Sequence, residues 1–158
     1  MDKNIRLDSI QIIQNLSELN RRFSAKTILL TGSAGFLGSQ FVHYFLTLND
    51  SKQLEKPCKI YCLDNYMRGI PPWLEKMQDR TDISIVQGDI ISQKDFPVSD
   101  FIIHAASIAS PIYYRIYPLE TMDANVTGLR NLLEFVAKHK CESLLFFSTS
   151  EIYGDPTP

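Results

Sequence analysis

The first patterned stretch, Ser9 to Phe23, places Ile10, Ile13, Leu16 or Ser17, and Asn20 near one face, with Ile12, Leu19 and Phe23 beside it. That spacing predicts an imperfect amphipathic helix ahead of the main body of the chain. From Lys26 the pattern changes. A short apolar run, Thr27 to Leu30, enters a glycine-rich turn and is followed by Leu37, Phe41, Phe45 and Leu48 at helical spacing, which reads as strand, turn, helix. Polar residues from Asn49 to Pro57 lead to a second buried strand, Lys59 to Leu63, ending at Asp64-Asn65. A short helix is expected from Pro71-Pro72 through Met77, then a third strand at Ile83 to Val86 closed by Gly88-Asp89. A brief helical turn near Ser92 to Asp95 precedes a fourth strand, Phe101 to Ile103, running into His104-Ala105-Ala106. The longest helix is predicted to begin near Pro118, with Met122, Val126, Leu129, Leu133 and Val136 as its apolar face and Lys138, His139 and Lys140 at its C-terminus. Ser143 to Phe147 completes the series as a fifth strand.

Strands alternating with helices across short loops imply parallel pairing through right-handed crossovers. The expected fold is α/β, a Rossmann-like doubly wound parallel sheet in the order 3-2-1-4-5, with residues 1–25 as a helical extension and 26–158 as the nucleotide-binding portion. Ligands of such sheets gather at the carboxyl ends of the strands, where the unusual sequences fall.

Composition narrows the classes. The 158 residues are 44% hydrophobic and 22% charged, which fits one globular domain. A formal charge of -2 with scattered lysine and arginine leaves no basic footprint for nucleic acid. No apolar run approaches a membrane span, and the charged N-terminal stretch is unlike a signal peptide. The three cysteines, Cys58, Cys62 and Cys141, have no metal-ligand spacing, so buried reduced thiols and a cytoplasmic setting are expected.

The turn after the first strand, Thr31-Gly32-Ser33-Ala34-Gly35-Phe36-Leu37-Gly38, carries the chemistry. Glycines there permit a tight turn (Gly32), close approach of a phosphate (Gly35) and close helix packing (Gly38), while the helix N-terminus offers unpaired N–H groups to an anion. Asp64, at the end of the second strand, can accept hydrogen bonds from both hydroxyls of an adenosine ribose and repels a 2'-phosphate, which favours NAD over NADP. Arg68, four residues on, works in the opposite direction. Asp89 has two readings of equal standing, a ligand for an adenine amino group or an ordinary strand-end turn residue. His104 has the position of a structural hydrogen-bonding residue.

Taken together, TGSAGFLG, Asp64-Asn65, Gly88-Asp89-Ile90, His104-Ala105-Ala106-Ser107, Asn125-Val126-Thr127-Gly128 and Ser148-Thr149-Ser150-Glu151-Ile152-Tyr153-Gly154 resemble the extended short-chain dehydrogenase/reductases that modify nucleotide sugars. The resemblance runs from Lys26 to Pro158 and implies NAD contacts from Gly32, Gly35, Phe36, Leu37, Gly38, Asp64, Asn65, Arg68, Asp89, Ile90, His104, Ala105, Ala106, Asn125 and Ser148. Within that family, Ala109 to Tyr114 and the ending Ser148 to Pro156 are most similar to the UDP-glucuronate decarboxylases. The resemblance then implies oxidation at sugar C4, loss of the C6 carboxylate and return of the hydride. Thr149 would hydrogen-bond the C4 oxygen, Glu151 would sit near C5 and C6, and Ser150 would stand where the related dehydratases carry an aspartic acid. Serine is a poor general acid near neutral pH, and decarboxylation needs none, because the C4 ketone takes the electrons.

Three features depart from the family pattern. Ser107-Ile108 replaces a common Cys-Pro, Arg115 replaces a lysine, and no tyrosine is followed by a lysine four residues later, the pair with which the family moves protons. The expectation is therefore a cofactor-binding portion of a longer enzyme that acts as a homodimer on a nucleotide sugar. Dehydratase or epimerase chemistry, and a non-catalytic dinucleotide-binding module, stay open as alternatives.

Overall fold

A computed structural model describes residues 3–154, except that the side chains of Ser150 and Glu151 lie outside the described portion. Five parallel strands form one sheet: β1 (Thr27–Thr31), β2 (Lys59–Asp64), β3 (Ile83–Gln87), β4 (Phe101–His104) and β5 (Ser143–Phe146). Their order is β3-β2-β1-β4-β5, with Leu30 in register with Cys62 on one side and Ile103 on the other. The order predicted from the alternation of elements is the order observed.

Period-two alternation explains why β1 can be apolar throughout. Ile28 and Leu30 face a core shared with Ile60, Cys62, Ile83 and Ile103, whereas Leu29 faces the other side with Leu63 and Ile102. The first face is covered by α2 (Phe36–Asp50), which inserts Val42, Phe45 and Leu46. The second is covered by α6 (Leu129–Lys138) through Leu132 and Phe135. At the amino ends of the strands, Asp100 accepts hydrogen bonds from Thr27 N–H at 2.7 Å and its hydroxyl at 2.8 Å, tying β4 to β1.

The N-terminal helix, α1 (Lys3–Asn20), is longer than the expected segment and continues into a 3-10 turn at Arg21–Phe23. It packs on α2 through Ser9, Ile13 and Asn20, while Ile10 and Leu16, expected on the buried face, are exposed. Asn20 is fully buried, donating to Ile13 O at 2.7 Å and accepting from the Tyr44 hydroxyl at 2.6 Å. Phe23 bridges Phe45 and Phe101 edge-on, with centroid distances of 5.2 and 5.4 Å.

Other expectations need correction. Ser92 to Asp95 forms no helix; a turn at residues 90–92 gives way to irregular chain. The short helix after β2, α3, spans Pro72–Glu75. Ahead of Pro118 the chain forms a helix that was not expected, α4 (Pro111–Ile116), while from Pro118 it runs as expected in one helical stretch to Lys138, made of α5 (Pro118–Asp123), a π-helical segment (Ala124–Gly128) and α6. Prolines at the starts of α4 and α5 set these boundaries, since proline is tolerated only in a first turn.

The predicted apolar face of that helix is buried only in part: Val136 packs against the core and Leu129 is half-buried. Met122, Val126 and Leu133 are exposed, and Ala124, Gly128, Asn131, Leu132 and Phe135 face inward. Large apolar residues were assigned to the core by periodicity, but at position 128 the helix lies so close to Ile90 after β3 that only glycine fits. The cysteines are all free thiols, with Cys58 and Cys62 buried and both pushed up to about 12 by burial. Among the described residues no helix is long and apolar enough to cross a membrane.

Candidate dinucleotide site

The carboxyl end of β1 runs into a turn whose shape depends on absent side chains. Gly32 has φ +69, and a Cβ there would lie 2.6 Å from Ala105 O and Ala106 N, so the turn rests directly on the backbone leaving β4. A Cβ on Gly38 would come within 2.0 Å of Gly32 O, so the first turn of α2 lies against the same peptide. Ala105 N–H donates to Thr31 O at 3.1 Å, which fixes the two chains to each other.

Gly35 differs from both. It is the N-cap of α2 in extended conformation, and a Cβ there would meet only Gly32 O, at 3.1 Å. No side chain caps this helix, and its first backbone bond runs from Ser39 N–H to Gly35 O at 2.9 Å. The N–H groups of Phe36, Leu37 and Gly38 precede that bond, as the first amides of any helix do. Phe36 is 83% exposed and Leu37 is exposed, whereas Gly38 is buried behind them, so the helix presents its first turn to solvent at the positive end of its dipole. An anion would find donors there with no internal competitor for them.

Asp64 stands beside this turn and helps to build it. Its Oδ2 accepts from Ala34 N–H and its Oδ1 from Tyr66 N–H, both at 3.0 Å. Tyr66 adopts φ +48, is buried, and donates its hydroxyl to Cys62 O at 2.9 Å while lying 3.4 Å from the Ser33 hydroxyl. Burial pushes the Tyr66 phenol up to about 12, so it remains a donor. Asn65 and Arg68 are exposed, and Asn65 Oδ1 accepts from Met67 N–H at 3.1 Å.

After β3, Asp89 is half-buried and its Oδ1 accepts from Ile91 N–H at 2.8 Å. The Ile90 side chain lies in the core. His104, at the end of β4, is 1% exposed; its Nδ1 lies 2.7 Å from the Thr31 hydroxyl and its ring stacks on Phe146 at 5.5 Å. Burial pulls this imidazole down to about 4, so it is neutral and acts beneath the turn. Asn125 lies in the π segment and donates to Thr121 O at 2.9 Å. Ser148 and Thr149 are exposed just past β5, ahead of a 3-10 turn at Ser150–Tyr153.

The structure thus brings Gly32, Gly35, Gly38, Asp64, Ala105 and Ala106 into one constellation, with Asp89, Asn125 and Ser148 placed on neighbouring segments. Two shallow surface hollows, one at Ser17, Glu18, Arg21 and Gln53 and one around Asp50, Arg80 and Asp82, lie away from this constellation. The second is filled by the ion pairs Arg80 makes with Asp50 at 2.8 Å and Asp82 at 2.7 Å.

Residues 28–158 match the model of the NAD dependent epimerase/dehydratase family. The chain belongs to this family. Among curated epimerase/dehydratase relatives, UDP-glucuronic acid decarboxylase 6 of Arabidopsis thaliana is 36% identical over 129 residues, which cover 82% of this chain and 35% of that protein. UDP-glucuronic acid decarboxylase 1 of Danio rerio is 34% identical over 144 residues, covering 91% and 31%. The chain therefore spans about a third of the length of these relatives. Among solved structures, dTDP-glucose 4,6-dehydratase of Bacillus anthracis in complex with NAD is 31% identical, with a TM-score of 0.63 over 84% of this chain and 40% of that one. UDP-glucose 4-epimerase of Bifidobacterium longum, in complex with NAD+ and UDP, is 25% identical with a TM-score of 0.65, covering 84% and 39%.

Sequence reasoning missed three residues that support this candidate site. Ser33 and Tyr66 support the glycine turn, and Asn131 of α6 donates to Ile90 O and Ile91 O. For Asn131 a signal existed: it is a polar residue beside Leu132 on a helix that must bury one face. Nothing in the sequence marks Tyr66, whose role follows from its left-handed backbone.

Proposed function

We propose that the chain forms the NAD-binding portion of a nucleotide-sugar-modifying enzyme, and that the whole enzyme decarboxylates UDP-glucuronate to UDP-xylose through a C4-keto sugar. The observation that carries the cofactor reading is the glycine turn, which has no room for side chains at Gly32 and Gly38 and only the Gly32 carbonyl facing Gly35, with an uncapped helix behind it. The amides of Phe36, Leu37 and Gly38 would hold the pyrophosphate, and Ala105 and Ala106 would wall the turn. Asp64 would accept from the ribose diol, with Asn65 and Arg68 at the rim, and Asp89 from the adenine amino group. His104 supports the floor through Thr31. When bound, NAD supplies a reversible hydride acceptor for sugar C4.

On the sugar side, Thr149 would donate to the C4 oxygen, with Ser148 and Asn125 at the cofactor side of the reacting centre. With a ketone at C4, the C5–C6 bond breaks, its electron pair enters the ketone as an enolate, carbon dioxide leaves, C5 is reprotonated, and C4 regains the hydride and a proton on its oxygen to give the xylose. Glu151 would stand near C5 and C6. Support for this reaction comes from the decarboxylase relatives and from Ser150, which offers no acid for expelling a C6 hydroxyl. The exposed Met122, Val126 and Leu133 support pairing of two copies through α5 and α6.

The test is NAD titration of the chain, followed by incubation with UDP-glucuronate both alone and joined to a segment carrying a Tyr-x-x-x-Lys pair. NAD binding by the chain, with UDP-xylose and carbon dioxide released only by the joined protein, is expected. The likeness to the Bacillus anthracis dehydratase favours water elimination as a second reading, and a 4-keto-6-deoxy sugar as product would establish it. Binding of NAD with no turnover by the joined protein would leave the chain a non-catalytic module.

A further inference from the structure

Asn131 is 6% exposed on α6, and its Nδ2 donates to two consecutive carbonyls, Ile90 O at 2.8 Å and Ile91 O at 2.9 Å. One turn earlier on the same face, a Cβ on Gly128 would lie 2.6 Å from Ile90 Cδ1, so helix and turn are in close contact at both positions. Ile90 is buried in the core with Leu29, Leu63, Leu132 and Phe135. The peptide that Asn131 holds is the one that orients Asp89. Ile91 N–H donates to Asp89 Oδ1 at 2.8 Å, and Asp89 O accepts from Gln93 N–H at 2.8 Å.

The segment held in this way has little regular structure of its own. β3 ends at Gln87, and residues 90–92 form only a turn. A buried amide with both hydrogens committed to successive carbonyls constrains that turn in position and in rotation. The π-helical segment Ala124–Gly128, immediately before α6, sets the phase at which Gly128 and Asn131 meet the turn; such segments recur where a helix serves a site.

We infer that Asn131 is a positioning residue for adenine recognition: by holding the Ile90 and Ile91 carbonyls it fixes the Asp89 carboxylate, whose Oδ2 then faces the exocyclic amine of the base. This rests on the NAD-binding reading above and deepens it. A carboxylate so placed favours an amino group and opposes a carbonyl at the same position of the ring, so base selectivity reports its orientation.

The experiment compares NAD with nicotinamide hypoxanthine dinucleotide, which carries a carbonyl in place of that amine and a hydrogen on the adjacent ring nitrogen. The wild-type chain is expected to prefer NAD by about tenfold, the worth of one hydrogen bond to a charged group. In Asn131→Leu and Asn131→Ser the preference is expected to fall to about twofold or less while the pyrophosphate contacts are retained. Gly128→Ala, which pushes on Ile90 without touching a polar group, is expected to reduce the preference as well and serves if the Asn131 variants fail to fold. A folded variant at Asn131, or failing that Gly128→Ala, that keeps the full preference overturns the inference. So does a wild-type chain that binds both dinucleotides equally. Absence of NAD binding by the wild type would overturn the cofactor reading and this inference with it, whereas binding without preference overturns this inference alone.

Discussion

Asp64 Oδ2 accepts the backbone N–H of Ala34 at 3.0 Å, so the acid at the end of β2 is part of the glycine turn before any ligand arrives. Removing the carboxylate therefore has two effects. Asp64→Ala deprives a ribose of its acceptor and also leaves the Ala34 and Tyr66 amides without their partner. NAD affinity is expected to fall by about 10- to 100-fold, the worth of one or two charge-assisted bonds. Discrimination against NADP should fall with it. Asp64→Asn, which keeps one acceptor oxygen and no charge, is expected to retain part of the affinity while losing that discrimination. Isothermal titration with both dinucleotides checks this; an Asp64→Ala chain that binds NAD as tightly as the wild type would remove Asp64 from the site.

The three glycines of the turn should separate into two classes. Gly38→Ala forces a Cβ to 2.0 Å from Gly32 O, where only backbone can give way, and is expected to cost about 3 kcal/mol or more of stability. Gly35→Val lies in extended backbone and meets only Gly32 O, at 3.1 Å, so it should cost less stability than Gly38→Ala and leave the chain folded while NAD affinity drops about a hundredfold. Urea unfolding beside NAD titration separates the two; a folded Gly35→Val chain with unchanged affinity would contradict the placement of the pyrophosphate.

Acid should destabilise the chain well above the pH at which its carboxylates titrate. His104 is held down to about 4 by burial, against an ordinary value of 6.5, so the unfolded chain takes up a proton that the folded chain refuses. Stability is then full above pH 6.5 and declines as pH falls toward 4, by roughly 2 kcal/mol between pH 7 and pH 5. His43, also lowered by burial, contributes in the same direction. Below pH 4 a second loss begins. Burial tends to raise the carboxyl of Asp82, but the hydrogen bonds from Arg80 and Asn49 outweigh it and hold the group below its ordinary value, so its stabilisation disappears once it is protonated. His104→Gln should flatten the decline between pH 7 and pH 5 in equilibrium unfolding, and an unaltered slope would exclude His104 as its source.

In the protein carrying a complete proton-transfer pair, Thr149→Val should lower kcat for the nucleotide sugar by about a hundredfold, as for loss of one donor to a developing oxyanion. The NAD dissociation constant should remain within about threefold, because Thr149 follows β5 and is not part of the glycine turn after β1. Equal losses in turnover and cofactor affinity would make the residue structural.

Much of this architecture could be read from the chain because the signals were local. Thr27 to Leu30 had to be a strand buried on both faces, and the glycines after it had to be a turn, since helix packing and backbone approach leave no room at Gly32 and Gly38. Parallel pairing followed from alternation, and the sheet order from taking that alternation as a doubly wound fold. What escaped depended on distant partners. Periodicity assigned Met122, Val126 and Leu133 to the core because they are large and apolar, yet the space available to that helix is decided by Ile90, which admits only Gly128. Tyr66 gave no hint of its role, because φ +48 is imposed by Asp64 and Ser33 rather than favoured by tyrosine. His104 was legible as a hydrogen-bonding residue, but its depth under Phe146 became evident only from the fold.

The buried pair Asn20 and Tyr44 changes what a useful boundary means for this chain. Ile13 belongs to the same apolar core as Ile28 and Phe45, and Phe23 wedges between the rings of Phe45 and Phe101. The family match begins at residue 28, but the solvent-shielded unit begins a helix earlier. A protein shortened to start at Lys26 would expose the outer side of α2 to water and leave the Tyr44 hydroxyl without its acceptor. For anyone preparing the nucleotide-binding portion in isolation, α1 is therefore part of the smallest piece in which this side of the core stays covered.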